Sequence, residues 1–369
     1  MRRSSAARWG SGVAIVVVTI ALAACHPQAP VRVGFLGTLS GTLSDLGVGG
    51  RNGAQLAIDA LNAADGPRYE LLVEDDRQQA DRARAAIDTF ASAGASFAVG
   101  PMTSSMAVAV VPEANRRHLV LITPTATTDE LSGQADYFFR VAADAPTGAR
   151  QLAGRLVRRG SRSLAVLLDL SNRAYTESFA RAATKQFTAL GGRVVAQQGY
   201  TSGAGIDFAA LARDLARHDP DTVLVIASPG EAAIVAQQLR RIRPGIGIAI
   251  TPWGANVQFL QFGGRGVDGT LALQAIDVDS PRPAMREFAQ RYRARFGEDP
   301  TTPAAQSYEA VMLGAQALQR GGRDALRATL AKPASWPGLD GDIPLDAYGD
   351  TTRSLHLTQV HDGRFEALE

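Results

Sequence analysis

The 369-residue chain has one cysteine, Cys25, so no internal disulfide can form and its stability must come from core burial. It has no basic block and no basic stripe interleaved with aromatics. Lys and Arg number 38 against 36 Asp and Glu, for a net charge of +2. Nucleic acid is therefore not an expected partner. Motifs that carry chemistry are missing as well. The five histidines (His26, His118, His218, His356, His361) lack metal-ligand spacing. The stretch 37–41 places its serine one position too late for a nucleophile elbow. Gly47-Val48-Gly49 lacks the third glycine of the dinucleotide fingerprint, because Asn52 stands there, and no lysine follows a glycine loop. These gaps argue against an enzyme, a metal and a cofactor. What is present, 46% hydrophobic and 20% charged residues, suits an α/β protein of two ordinary domains.

Residues 1–24 have the grammar of an export signal. Arg2, Arg3 and Arg8 precede an uncharged, mostly apolar run over 12–24 that is shorter than the ~20 residues a spanning helix needs. The run ends in Leu22-Ala23-Ala24-Cys25, which resembles the bacterial lipobox and implies cleavage before Cys25 with lipidation of its sulfur. Residues 25–30 then form a short tether. An ordinary signal peptide with a chance cysteine is the alternative. The expected location is extracytoplasmic, periplasmic or at the cell surface, with a lipid anchor in the membrane.

From residue 31 the pattern alternates strand and helix. Strands are predicted at 31–36, 69–74, 97–99 and 119–122, with helices between them; Ala54, Ala57, Ile58 and Leu61 make one stripe of the first. Asp76 and Gln79 read as a capping box for the second helix. After a short extended run at 137–141 the alternation restarts, with strands at 164–170, 194–198, 222–227 and 246–251. A strand at 270–275, two helices (Met285, Phe288, Tyr292, then Tyr308, Val311, Ala315) and a β-ribbon tail follow. Such alternation means parallel sheets covered by helices on both faces. Two such units with a helical return segment predict two Rossmann-like lobes around a cleft.

Two strand exits stand out, Gly100-Pro101-Met102-Thr103-Ser104-Ser105 and Thr123-Pro124-Thr125-Ala126-Thr127-Thr128. A strand exit that opens a helix presents unpaired backbone N–H groups and the positive end of the dipole. The clustered hydroxyls add neutral donors, so the pair is a candidate carboxylate site. The simpler reading of Thr103, Ser104 and Thr127 is helix capping.

Taken together, these stretches resemble the leucine/isoleucine/valine-binding family of periplasmic substrate-binding proteins, with the type I solute-binding fold. The residues that carry the likeness are Val33-Gly34-Phe35-Leu36-Gly37-Thr38-Leu39-Ser40-Gly41, Gly47, Asn52-Gly53-Ala54-Gln55-Leu56-Ala57, Leu61-Asn62-Ala63 and Asp75-Asp76. They continue in Gly100 through Ser105, Pro124 through Leu131, Phe138-Phe139-Arg140 and Gly341-Asp342-Ile343-Pro344-Leu345-Asp346 with Gly349-Asp350. The resemblance implies an N-terminal lobe of 31–143 plus 276–352 and a C-terminal lobe of 144–275 plus 353–369, closing on a hinge around a small molecule. It implies an amino acid, organic acid or amide as ligand and an ABC permease as partner. By position, Ser104, Thr125 and Thr127 would hold a ligand carboxylate, and Tyr175 would close over it from the second lobe, or else sit at the surface near a helix start. The pattern departs at two places. Trp253 stands where amino-acid binders offer a carboxylate to the ligand ammonium, and Leu46 where they often place an aromatic. Glu231 could supply the missing charge, or serve only as a first-turn helix acid; Trp253 could be core packing. An acid, aromatic compound or amide is then expected in place of an α-amino acid. The other functional class the fold allows is a sensor or regulator, for example of a cell-wall enzyme or receptor. The lipobox takes the end where repressors of this fold carry their DNA-binding helices.

Overall fold

The computed structural model describes residues 29–41 and 43–368. The signal peptide, Cys25 and most of the tether lie outside the described residues. The first sheet comprises β1 (Val31–Gly37), β2 (Tyr69–Asp75), β3 (Phe97–Val99), β4 (Leu121–Thr123) and β5 (Phe138–Arg140), all parallel, in the order β2-β1-β3-β4-β5. Successive side chains of a strand face opposite ways, and the core divides accordingly. Val33, Phe35, Phe97 and Val99 pack under α1 (Ser44–Ala63), together with residues of α10 (Thr302–Gly321). Leu36, Ala98 and Leu121 pack under α2 (Ala80–Ser92) and α3 (Ser104–Arg117).

The chain then enters a second sheet through α4 (Ala145–Arg158), whose first turn is capped by Asp144. Its strands are β6 (Ser163–Asp169), β7 (Arg193–Tyr200), β8 (Thr222–Ile226), β9 (Gly247–Ile250) and β10 (Leu271–Gln274), alternating with α5 (Arg173–Ala189), α6 (Phe208–Ala216), α7 (Pro229–Ile242) and α8 (Val257–Gly263). The order β7-β6-β8-β9-β10 repeats that of the first sheet, and it is extended by an antiparallel hairpin of β13 (His356–His361) and β14 (Arg364–Ala367). Leu164, Val166 and Leu168 face α4 and α5, while Ala165 and Leu167 face α6 and α7.

Between β10 and β13 the chain returns to the first lobe. There α9 (Pro283–Phe296) and α10 pack on α1, followed by α11 (Leu326–Leu330) and the small ribbon β11 (Ala334–Trp336) with β12 (Ile343–Leu345). Gly53 is what lets α10 come so near: a Cβ there would meet the Ala304 carbonyl oxygen at 1.9 Å. Gly47 allows the same approach of α1 to the Thr38 carbonyl, also 1.9 Å from an added Cβ. Each sheet has a topological switch point, at β1/β3 and at β6/β8, and ligands of open parallel sheets bind outside the carboxyl ends of strands at such points. The expected α/β fold with two lobes and parallel sheets is the one observed.

The capping box at Asp76 is not. Helix α2 begins at Ala80 with Gln79 at its N-cap, and Asp76 turns inward, accepting Thr38 Oγ1–H at 2.6 Å and Gln78 N–H at 2.8 Å. A carboxylate reachable by a buried hydroxyl of the neighbouring strand end is better satisfied there than at an exposed helix start. Burial raises the Asp76 pKa despite those bonds.

Candidate functional site

The carboxyl ends of the two sheets face each other, and the loops that leave them meet. After β6, Asn172 Oδ1 accepts the Ser105 N–H at 3.2 Å, and Ser105 Oγ accepts the Ala174 N–H at 3.3 Å. Each lobe thus satisfies an orphan N–H at the head of the other's helix, α3 or α5. Arg181 of α5 reaches Asp129 of the first lobe with both carboxylate oxygens within 3.0 Å. These contacts close one side of the cleft.

Beside them lies a cavity lined from both lobes. It leaves about 60 Å³ for the centre of a water molecule, room for roughly four to six waters or a small organic molecule. Leu46, Met102, Thr125 and Thr127 line it from the first lobe, and Tyr175, Phe179, Pro252 and Trp253 from the second. The walls are largely apolar, and no basic residue is among the described residues that line it. Tyr175 sets its ring edge-on to Trp253, centroids 6.1 Å apart, and tilts against Phe179 at 6.0 Å. Such aromatic pairs stiffen a wall that can receive an apolar ligand body.

Five of the seven residues expected at the site, Leu46, Thr125, Thr127, Tyr175 and Trp253, come together here. Ser104 and Glu231 do not line the cavity. The Ser104 hydroxyl accepts the N–H groups of Thr127 and Thr128 at 3.0 and 3.2 Å. It therefore braces one loop against the other and occupies backbone donors that a ligand carboxylate could have used. Thr125 Oγ1 is likewise tied down, donating to the Met102 carbonyl at 2.5 Å. Thr127 carries no such tie in its side chain, and its backbone carbonyl accepts the Ala145 N–H at 2.7 Å. Glu231 sits in the first turn of α7, where one carboxylate oxygen accepts hydroxyls of Tyr200 (2.9 Å), Ser202 (2.8 Å) and Ser228 (3.1 Å). It borders a separate, wider cavity at the cleft mouth, together with Asp45, Tyr292 and Glu298.

Two buried side-chain donors around the cavity lack a hydrogen-bond partner, Trp253 Nε1 and Gln306 Nε2, while the Tyr175 hydroxyl is hydrogen-bonded to Thr251 and the Trp253 backbone. An orphaned buried polar group costs about 1–3 kcal/mol, so two of them around one cavity mark it as shaped for a partner. Burial pushes the Tyr175 phenol far above its ordinary pKa, which keeps it neutral. Gln306 is 1% exposed and belongs to α10 of the first lobe. Sequence reading passed over it. The available signal was its phase: Gln306, Ala310, Leu313 and Ala317 share one helix face, and three of the four are apolar and buried. Asn172 and Asn256, also in the lining, were likewise not singled out. Among the described residues no group of three or more His, Cys, Asp or Glu could hold a metal ion, and no helix is long and apolar enough to cross a membrane.

Residues 30–364 match the family described as periplasmic binding protein. Among characterised sequences, the chain is 24% identical over 354 residues to the Leu/Ile/Val-binding protein BraC3 of Rhizobium johnstonii, covering 93% of this chain and 95% of that one. Among solved structures it is similar to the leucine binding protein LivK of Thermotoga maritima, with a TM-score of 0.84 and 23% identity over 92% of this chain and 98% of that one. It is similar too to an ABC transporter solute binding protein of R. palustris in complex with benzoate, with a TM-score of 0.83 and 21% identity over 92% and 96% of the two chains.

Proposed function

This chain belongs to the periplasmic binding protein family, whose members are solute-binding proteins and not enzymes, and on that premise we propose that it captures a small organic acid or amide for an ABC-type importer. The lobes, 31–143 plus 276–352 and 144–275 plus 353–369, close on a hinge around the ligand. Closure is favoured to the extent that the ligand touches both lobes at once. The protein works outside the cytoplasm, held to the membrane by a lipid on Cys25. The single observation that carries the reading is the cavity, lined from both lobes at the carboxyl ends of the two sheets.

Within it, the loop 123–128 receives the ligand carboxylate, with Thr127 as the hydroxyl donor and Ser104 holding the loop in place. Tyr175, Phe179 and Trp253 surround the apolar body. Relatives named for leucine and a neighbour bound to benzoate bracket the class: a carboxylate on a compact apolar body, with or without an ammonium. Trp253, in place of an acid, supports a ligand without the ammonium, because a buried ammonium lacking a countercharge is expensive. An indole face recovers part of that cost, about 2 kcal/mol or more when desolvated.

Calorimetric titration tests this. Branched-chain amino acids, benzoate and the corresponding primary amides are screened against the wild type and Thr127→Val, which keeps the side-chain shape and removes the hydroxyl. A hydrogen bond to a charged group contributes roughly 1.5–3 kcal/mol, so the Kd of a bound carboxylate should rise at least about tenfold. The amide should lose less. An unchanged carboxylate affinity in Thr127→Val would remove this loop from the site.

A further inference from the structure

The side chains around the cavity leave hydrogen-bond donors without partners. Trp253 Nε1 and Gln306 Nε2 are buried N–H donors with no partner, one from each lobe. Asn172 and Asn256 add further N–H groups. The oxygen of Asn172 accepts the Ser105 N–H at 3.2 Å, and that of Asn256 accepts the N–H groups of Gln258 and Phe259 at 2.9 and 3.3 Å. A side-chain amide whose oxygen is committed to backbone N–H groups has its nitrogen left to give. The one carboxylate in the lining, Asp144, is engaged as the cap of α4, accepting the Thr147 N–H at 2.9 Å at the positive end of that helix. The hydroxyls of Thr127 and Tyr175 can turn either way.

We infer that Gln306 and Trp253 are specificity-determining residues that recognise an uncharged or anionic oxygen on the ligand, distinct from the carboxylate held by the 123–128 loop. The ligand class is then a small oxo-, hydroxy- or dicarboxylic acid on an apolar body, and α-amino acids are disfavoured. The inference rests on the small-acid reading proposed above and narrows it. An acceptor oxygen satisfies donors that the protein leaves orphaned, whereas a methyl group leaves them so, and an ammonium sets N–H against the donor-only Trp253 Nε1 and can be met only by turning the Gln306 amide oxygen toward it. Because the two donors come from opposite lobes, an oxygenated ligand also adds a reason for the lobes to stay closed.

The test is calorimetry with matched probes: 4-methylpentanoate, 4-oxopentanoate and leucine, with benzoate and 4-hydroxybenzoate as an aromatic pair. The wild type should bind the oxygenated member of each acid pair about tenfold or more tightly than its bare counterpart, with leucine weakest. In Gln306→Leu and in Trp253→Phe the oxygenated-to-bare ratio should shrink toward one in at least one of the two pairs. A melting temperature of Gln306→Leu at or above the wild-type value establishes that its fold is intact. Leucine binding tightest, or a ratio that survives in both variants, overturns the inference. A wild type that ignores all five probes overturns it together with the small-acid reading. If 4-methyl-2-pentanone, which has the oxygen and no carboxylate, binds as tightly as 4-oxopentanoate and depends on Gln306, only the carboxylate reading falls.

Discussion

Glu309 and Arg353 form a buried ion pair whose disruption should destabilise the protein more than any single change in the cavity. Glu309 is 2% and Arg353 6% exposed. The two guanidinium nitrogens of Arg353 donate to the two carboxylate oxygens of Glu309 at 2.5 and 2.9 Å, and the Leu339 N–H donates to the same carboxylate at 2.7 Å. Glu309 is on α10, and Arg353 is on the segment that leaves the first lobe for β13, so the pair anchors a crossing between lobes. Glu309→Gln keeps the shape but leaves a buried guanidinium without countercharge. Breaking such a pair costs about 3–5 kcal/mol, a large share of the 5–15 kcal/mol that holds a typical domain together. At about 2 °C per kcal/mol for a chain of this size, the melting temperature should fall by roughly 6–10 °C. The double variant Glu309→Leu with Arg353→Met removes both charges from an apolar site and should recover part of that loss. Differential scanning fluorimetry of Glu309→Leu, Arg353→Met and their double supplies the coupling energy. If Glu309→Gln melts within about 1 °C of the wild type, or if the double loses as much as the singles combined, the pair is not coupled and the reasoning fails.

Two further outcomes follow from the cleft. Asp45, at its mouth, has its pKa pushed up to about 6 from an ordinary 3.8, by burial first and by the nearby Glu231 charge in addition, against backbone hydrogen bonds from Leu46 and its own N–H that lower it. A raised carboxyl pKa means that the fold prefers the neutral form: the contribution is intact below pH 4 and is lost as pH rises through about 6. Asp45→Asn should therefore match the wild type near pH 4 and gain up to about 3 kcal/mol over it by pH 7, at 1.36 kcal/mol per unit; a stability gap that does not widen between those pH values would refute the assignment. Ser105→Ala removes the acceptor for the Ala174 N–H, a contact that joins the lobes. Ligand Kd should rise by about two- to tenfold, as expected for a hydrogen bond of 0.5–1.5 kcal/mol, while the unliganded melting temperature moves little. Equal losses in both would place Ser105 in ordinary packing.

Much of the fold was legible because its signals are local. Apolar runs ending at Val99 and Ile122 had to be buried strands, and the Ala54, Ala57, Ile58 stripe had to face a sheet, whatever the rest of the chain did. Strand order then put the exits after β1, β4, β6 and β9 at one end, which is why five of the residues singled out meet around one cavity. Hydrogen-bond direction was not legible. Ser104 and Thr125 read as ligand donors because hydroxyls at strand exits usually have free backbone nearby. Here β3 and β4 are neighbours, so the hydroxyls of one loop reach the backbone of the next before any ligand does. Glu231 takes the first-turn helix place that was one of its two readings, and its partners were not legible: Tyr200, Ser202 and Ser228 are brought to it by pairing of β7 and β8 with β6, an order that periodicity does not encode.

Gln306 carries the larger lesson about the ligand. It reaches the site on a helix that returns from the far end of the chain, so no motif near the 100–128 loops could announce it. Its partner in the argument, Trp253, looked like the loss of a function, an acid replaced by an indole. With Trp253 Nε1 and Gln306 Nε2 both orphaned around one cavity, an indole in place of an acid reads as a proposed change of sign. On the proposed reading, a wall that would have accepted hydrogen bonds from an ammonium instead donates them. Electrostatic selection of this kind works through what is left unpaired when the wrong ligand binds, since a buried N–H facing an ammonium or a methyl group loses its hydration and gains nothing. On the proposed reading, discrimination against amino acids would need no steric clash and no repelling cation in the cavity; the donor-only indole N–H of Trp253, joined by the Gln306 amide, would supply it.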